Sequence, residues 1–430
     1  MFASSQNSLR DNTFLGLTAL LTFALLISSC APSAAPASPT ATLIPPPTLT
    51  PTVTPTPFVP KAVIKIASHS PLSGDYAPWG TDIMRAVELA ARQLVEPLHA
   101  LGYGIKLVSY DDQSSLDVAV PNANEIIADP EILCAVGHYF SAITIQTAEI
   151  YHKGKLPFIC PSCTRPQLTD AGYLETNRVA GRDDNQGRAG AQFVNAQGLT
   201  DAFVISQNNT YALKNADFFR QEARQLGIIL VGDMKTDLRT GFESFISRVM
   251  ENEADVVYFS SLDAEQVGEF IREARAAGYL GMFLGPDGLN NPALATFAGP
   301  LMVDGAGAYY TSPTPSVVDI GAASEFVHDF ETSYGSLPHE FAAQAYDAAG
   351  ICLTAIEQAS MAKNGEIPTR TEVANAIRSL TEYAGITGSY TFSKKGEPNL
   401  TKYYIYQVTS VDPNRWSENP LVASYEIAPP

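Results

Sequence analysis

From residue 61 onward, short apolar runs of strand length alternate with stretches of helix length, and this alternation limits the fold more than any other feature. Residues 62–67 read as a strand, 81–98 as a helix, 105–109 as a strand and 117–128 as a helix. Pro121 is tolerable only near the first turn of that last helix. Two more strands follow at 132–136 and 156–159, separated by a helix from Ser141 to about Tyr151. Alternation of this kind builds a parallel sheet covered by helices on both faces. The run GRDDNQG at 181–187 interrupts the rhythm, which then restarts. Strands at 202–206, 228–231, 255–259 and 281–284, with helices at 211–226, 241–252 and 264–277, make a second α/β unit of similar size. From about Thr311 the chain turns helical, at 320–334, 339–360 and 370–380, and short strands follow at 388–392 and 403–409.

Ligands of open α/β sheets bind outside the carboxyl ends of the strands. Two neighbouring strands of the first unit end in loops that bear hydroxyls, Ser141 in one and Thr164 in the other. Ser141 reads as a helix N-cap, among free backbone N–H groups at the positive end of a helix dipole. Such a pair of loops suits a carboxylate; ordinary capping accounts for the same residues equally well. In the second unit Asp287 follows a strand within Pro286-Asp287-Gly288, where it projects at the sheet edge or serves only as a turn residue. Tyr211 starts a helix after another strand of that unit, and Trp79 lies in the loop after the first strand of the chain. No Gly-rich phosphate loop follows a strand, which disfavours a nucleotide. A net charge of −18 disfavours nucleic acid as a partner.

Five cysteines are present. Cys160-Pro-Ser-Cys163, with Cys134, His138 and His152 nearby, admits a redox dithiol, a zinc site, a disulfide, or small cysteines packed as apolar residues. The last is the plain reading, because Cys134 falls within a strand and His152 at a helix end. No metal and no cofactor is therefore expected.

Residues 14–27 form an uncharged apolar run, too short to span a bilayer comfortably and suited to a signal-peptide core. Ile27-Ser28-Ser29-Cys30 resembles a bacterial lipobox, which makes Cys30 the expected site of lipid attachment after removal of residues 1–29. Residues 31–60 hold ten prolines, seven threonines and no charge, the composition of an extended tether.

The chain from Ala62 to about Thr409 resembles the type I periplasmic binding proteins of the branched-chain amino-acid-binding family of ABC transporters. The resemblance rests on PLSGDYAPWG, the acidic pair Asp111-Asp112, VGHYFS, PSCTRPQLT, GRDDNQG, ADVVYFSS, LGPDGLN and a late GSYTFSKKGEP, in that order and spacing. It implies two Rossmann-like lobes of a Venus-flytrap, joined by three hinge crossings. Residues 61–182 and 311–387 would form one lobe, and residues 183–310 and 388–430 the other. It also implies that Ser141 and Thr164 hold a ligand α-carboxylate, with backbone groups of Cys163 beside them. Asp287 would then meet the α-ammonium, and Tyr211, Trp79 and Phe341 would be pocket aromatics. Leu262 stands where relatives often carry an aromatic, followed by Asp263. The family's disulfide near the VGH loop is missing, since Ser114 and Phe140 occupy its places.

The expectation is a lipid-anchored, monomeric, non-enzymatic solute-binding protein on the extracytoplasmic side of the membrane. It would capture an amino acid, branched-chain or otherwise apolar, and deliver it to an ABC permease. The alternatives are a ligand-sensing receptor subunit, a binder of amides or aromatic acids, and an exported thiol or metal enzyme built on Cys160 and Cys163.

Overall fold

A computed structural model describes residues 58–429. Five strands form the first sheet: β1 (Ala62–Ser70), β2 (Tyr103–Asp111), β3 (Ile132–Gly137), β4 (Phe158–Cys160) and β5 (Thr176–Arg178). They are all parallel, in the order β2-β1-β3-β4-β5. The second sheet contains β6 (Asp201–Gln207), β7 (Ile229–Thr236), β8 (Val256–Ser260), β9 (Met282–Gly285) and β10 (Ala308–Ser312). These five repeat the same parallel order, β7-β6-β8-β9-β10. A hairpin of β11 (Tyr383–Ala384) and β12 (Ser389–Tyr390) stands apart. Two antiparallel strands, β13 (Thr401–Val408) and β14 (Leu421–Ile427), extend the second sheet beyond β10.

Each half is thus a doubly wound unit, and its strand order reverses beside its first strand. Central strands such as β3 and β8 are buried along their whole length, because helices cover both faces. Helices Ala77–Gln93, Ser324–Tyr334, Ala342–Ala362 and Arg370–Ser379 pack on the first sheet through Ile83, Val87, Phe330, Ile351 and Ile377. Helices Asp183–Ala196 and Thr210–Gln225 close one face of the second sheet through Phe193 and Phe219. Helix Ala264–Ala276 closes its other face through Phe270. No helix among the described residues is long and apolar enough to cross a membrane.

The chain passes between the two sheets three times, and side chains tie the passages together. Arg182 donates its backbone N–H to the Tyr403 hydroxyl at 2.7 Å, and that hydroxyl donates to the Arg182 carbonyl at 3.1 Å. Gln186 Oε1 accepts from Thr311 Oγ1 at 2.8 Å. The first core also takes in Tyr390 and Phe392, so the third passage lies between Phe392 and β13.

Several expectations shift. GRDDNQG is not a break: Arg182 takes the cap position and residues from Asp183 onward open a helix. Asp183 and Asp184 fall in its first turn, where acidic side chains suit the dipole, and only the hinge in front of it is irregular. The first helix ends at Gln93, because Pro97 can enter only the first turn of a new helix, Glu96–Ala100. Strands β5 and β10 are short, and β14 is only partly buried; none shows a long apolar run.

All four described cysteines are paired. Cys160 is bonded to Cys163, and Cys134 on β3 to Cys352 in helix Ala342–Ala362. The cysteines are therefore cross-links rather than free apolar residues, and Cys134 and Cys352 meet only because that helix packs on β3. The expected signal peptide, the lipid site at Cys30 and the tether lie outside the described residues.

Candidate functional site

Most of the sequence-selected residues lie at the carboxyl edges of the two sheets. Trp79 follows β1, Ser141 follows β3 and Thr164 follows β4, all at the carboxyl edge of the first sheet. Tyr211, Leu262 and Asp287 follow β6, β8 and β9 at the carboxyl edge of the second. Phe341 immediately precedes helix Ala342–Ala362.

On the first lobe, Gly137 makes the Ser141 loop possible. Its φ is +146°, and a Cβ there would lie 1.9 Å from the His69 carbonyl oxygen. Phe140, not Ser141, occupies the cap position, and Ser141 is the first helical residue. Its backbone has already turned helical, so its hydroxyl faces the neighbouring loop instead of capping its own helix. There its Oγ accepts the Thr164 N–H at 3.3 Å, so that N–H is already engaged. A buried guanidinium fixes the Thr164 loop from below. Arg178 donates to the carbonyls of Cys163 at 2.7 Å and Arg165 at 2.8 Å, and to Thr169 Oγ1 at 2.7 Å. Its Nε lies 3.2 Å from Glu397. Cys163 itself is fully buried, its sulfur 2.9 Å from Thr144 Oγ1, and it reaches the cleft only through its backbone.

On the second lobe, Asp287 is half-buried and accepts the Tyr211 hydroxyl through Oδ1. Its loop is held tightly against the loop after β8, since a Cβ on Gly288 would lie 2.1 Å from the Ser261 carbonyl oxygen. Gln186 Oε1 accepts the Asp287 N–H at 3.0 Å. Burial raises the Asp287 carboxyl, while the Tyr211 hydrogen bond draws it back. Leu262 is 54% exposed at the cleft lip. Asp263 is consumed locally: it caps helix Ala264–Ala276 through Gln266 N–H and pairs with Arg239 at 2.7 Å.

Three acidic or polar residues that the sequence reading did not single out also bear on the site. Asp183, at the first hinge, is buried and donates its backbone N–H to the Thr164 carbonyl at 2.9 Å. Burial, then the neighbouring Asp287 carboxylate, push it up to about 7, against the pull of the Thr164 hydroxyl and Arg178. Gln186 Nε2 donates to it at 3.4 Å. Glu340 accepts from Thr314 Oγ1 at 3.4 Å and is raised by desolvation and by Asp287. Its residue surface is nonetheless open to solvent. The signal that would have found Asp183 and Gln186 is GRDDNQG itself, read as the start of a helix rather than as a break.

Aromatic rings line the approach. The Tyr139 centroid lies 6.2 Å from both Trp79 and Phe341. Phe341 has φ +68°, in the left-handed region that a bulky residue seldom adopts. That backbone turns its ring toward Tyr139. Beside these residues opens a cavity of about 490 Å³ that Trp79 and Phe341 share with Tyr310, Tyr406 and Trp416.

Among the described residues the metal-ligating side chains gather only at His69, Asp112 and His138, all fully buried. His138 Nδ1 meets Asp112 at 2.7 Å and its Nε2 meets Thr147 at 2.9 Å, while His69 Nδ1 meets the Tyr151 hydroxyl at 2.8 Å. Burial drives His69 far below the usual histidine range, so its ring is neutral. These contacts pin the ends of β1 and β3 behind the Ser141 loop.

Two matching α/β lobes with hydroxyls on one edge and carboxylates on the facing edge define a cleft-type binding protein. The chain belongs to the periplasmic binding protein family, whose model matches residues 63–413. Within it, the chain is a type I member of the branched-chain amino-acid ABC transporter group. It is 28% identical over 355 residues to an amino acid binding protein of Pseudomonas aeruginosa, covering 80% of this chain and 90% of the relative. To the Leu/Ile/Val-binding protein homolog 1 of Brucella suis it is 26% identical over 346 residues, or 78% and 88% of the two chains. A crystal structure of a branched-chain amino acid ABC transporter protein from Rhodospirillum rubrum superimposes with a TM-score of 0.68 at 23% identity, over 84% of this chain and all of that one. A Desulfitobacterium hafniense substrate-binding protein in complex with Leu gives 0.66 at 21%, over 84% and 100%. At those identities the structures establish the fold alone: two lobes of the type I periplasmic binding protein.

Proposed function

We propose that this chain captures a free α-amino acid between its lobes and delivers it to an ABC permease as a monomer tethered to the membrane through lipid on Cys30. The carrying observation is the pairing of Ser141 and Thr164 on one lobe with Asp287 and Tyr211 on the other. Hydroxyls and helix-terminal N–H groups suit the α-carboxylate. Asp287, with Asp183 beside it, suits the α-ammonium. A ligand that satisfies both lobes at once binds the closed form better and shifts the population toward it. The lobes divide near residues 182 and 311 and between Phe392 and β13, later than the expected 387. Trp79 and Phe341 wall the side chain, with Leu262 at the lip, and the relatives' names support an apolar wall of this kind. No residue is assigned a catalytic role.

Calorimetry on the full chain tests the reading. An α-amino acid should bind, and the analogues that lack either its amino or its carboxyl group should bind far more weakly. Equal binding of all three would sink the zwitterion reading. For the anchor, Cys30→Ser should yield a processing-defective or soluble product; unchanged membrane association and gel mobility would count against lipid at that residue.

A further inference from the structure

The two disulfides of the described chain close loops of very different length. Cys134 and Cys352 are 218 residues apart, and Cys160 and Cys163 are 3 apart. A cross-link stabilises a fold mainly by closing a long loop of the unfolded chain. The shorter link closes almost none, so its effect is confined to the backbone around it. That backbone carries a residue of the cleft. Cys160 is the last residue of β4, and Thr164 directly follows Cys163.

The cross-linked turn is fixed from within the lobe. Both cysteines are fully buried. The Cys163 N–H donates to Cys160 Sγ at 3.1 Å, and the Cys163 carbonyl accepts from Arg178 at 2.7 Å. The same turn presses on the loop that carries Ser141. Ser162 Oγ lies 2.7 Å from the His138 carbonyl oxygen and 2.9 Å from that of Tyr139. Cys163 Sγ lies 2.9 Å from Thr144 Oγ1, in the first turn of the helix that Ser141 opens. Beyond the turn the direct tie is weaker. The Thr164 N–H reaches Ser141 Oγ at 3.3 Å, long for an N–H···O bond. The spacing of Ser141 and Thr164 is therefore set more by the covalent turn behind Thr164 than by the bond between them.

We propose that Cys160 and Cys163 are positioning residues of the ligand site: their disulfide holds Thr164 beside Ser141, ready for a ligand carboxylate. The proposal rests on the amino-acid reading above and deepens it. A turn already in its bound conformation loses no freedom when the ligand arrives. Without the link, the backbone at Cys163 and Thr164 gains freedom that carboxylate binding must remove again. The ammonium side does not share this turn, because Tyr211 and Asp287 follow strands of the other sheet.

Calorimetry on the full chain and on Cys160→Ser/Cys163→Ser tests this, with L-leucine measured directly and L-leucinamide by displacement. Leucinamide keeps the ammonium and the side chain and lacks the carboxylate charge. In the double variant leucine should lose about five- to thirtyfold in affinity, the cost of ordering roughly one more backbone residue. Leucinamide should lose much less, so the preference for leucine should shrink. The denaturation midpoint of the same samples should stay close to that of the unmodified chain. A midpoint that falls as far as in Cys134→Ala/Cys352→Ala would make the short link a support of the whole lobe and overturn the proposal. Unchanged leucine affinity, or equal losses for both ligands, would also overturn it and leave the amino-acid reading standing. Leucine binding no tighter than leucinamide to the unmodified chain would overturn the carboxylate reading, and this proposal with it.

Discussion

Gln186 and Asp287 lie 101 residues apart in sequence, yet the Gln186 side chain accepts the Asp287 backbone N–H at 3.0 Å. The same oxygen accepts the Thr311 hydroxyl at 2.8 Å, and the amide nitrogen reaches Asp183. One side chain thereby connects two hinge passages to the carboxylates of the cleft. Asp287 is held by its backbone, and its carboxylate is left to Tyr211 and to a ligand.

Asp287→Ala should weaken an α-amino acid by about 30- to several-thousand-fold, because truncating one partner of a buried charge pair costs about 2–5 kcal/mol. The deaminated analogue should lose much less. Ser141→Ala should cost less than Asp287→Ala, since helix N–H donors remain. Equal losses for both ligands in Asp287→Ala would reduce Asp287 to a turn residue.

Closure should be visible in solution. Small-angle scattering should give a smaller radius of gyration at saturating ligand than without it. The hinge ties Arg182–Tyr403 and Gln186–Thr311 set where the lobes pivot. An unchanged radius would speak against two closing lobes.

Acid–base linkage has a definite sign here. Asp183 titrates near 7 in the folded chain, above its ordinary value of 3.8. The folded state therefore holds this proton more tightly than the unfolded one. Its contribution to stability is fully present below about pH 4 and is lost as pH rises through about 7. Melting temperature of the ligand-free chain should fall over that window, and Asp183→Asn should flatten the fall. An ammonium ligand favours the ionised carboxylates, so its affinity should rise with pH over the same range.

Reduction should destabilise the chain mainly through one cross-link. Cys134 and Cys352 are separated by 218 residues, whereas Cys160 and Cys163 are separated by 3. Loop-closure entropy favours the long link, at roughly 5 kcal/mol as an upper figure. Denaturation midpoints should show Cys134→Ala/Cys352→Ala reproducing the effect of a reductant, with Cys160→Ser/Cys163→Ser changing the midpoint less. The reverse ranking would refute this.

By itself the sequence determined that the chain is an α/β protein of two similar units, and which hydroxyl and carboxylate residues follow its strands. That much is local: apolar runs of strand length must be covered on both faces, and side chains that follow a strand lie at its carboxyl edge. Ser141, Thr164, Tyr211 and Asp287 were legible for this reason. Tertiary structure decided what those residues meet. Asp183 looked like part of a break, because nothing local reports that Thr164 and Asp287 come to lie beside it. The Cys134–Cys352 link and the hinge ties joining Arg182 to Tyr403 depend on contacts hundreds of residues apart. Periodicity registers which face of an element is buried, whereas partners so distant in sequence meet only after both sheets and the helices between them have packed.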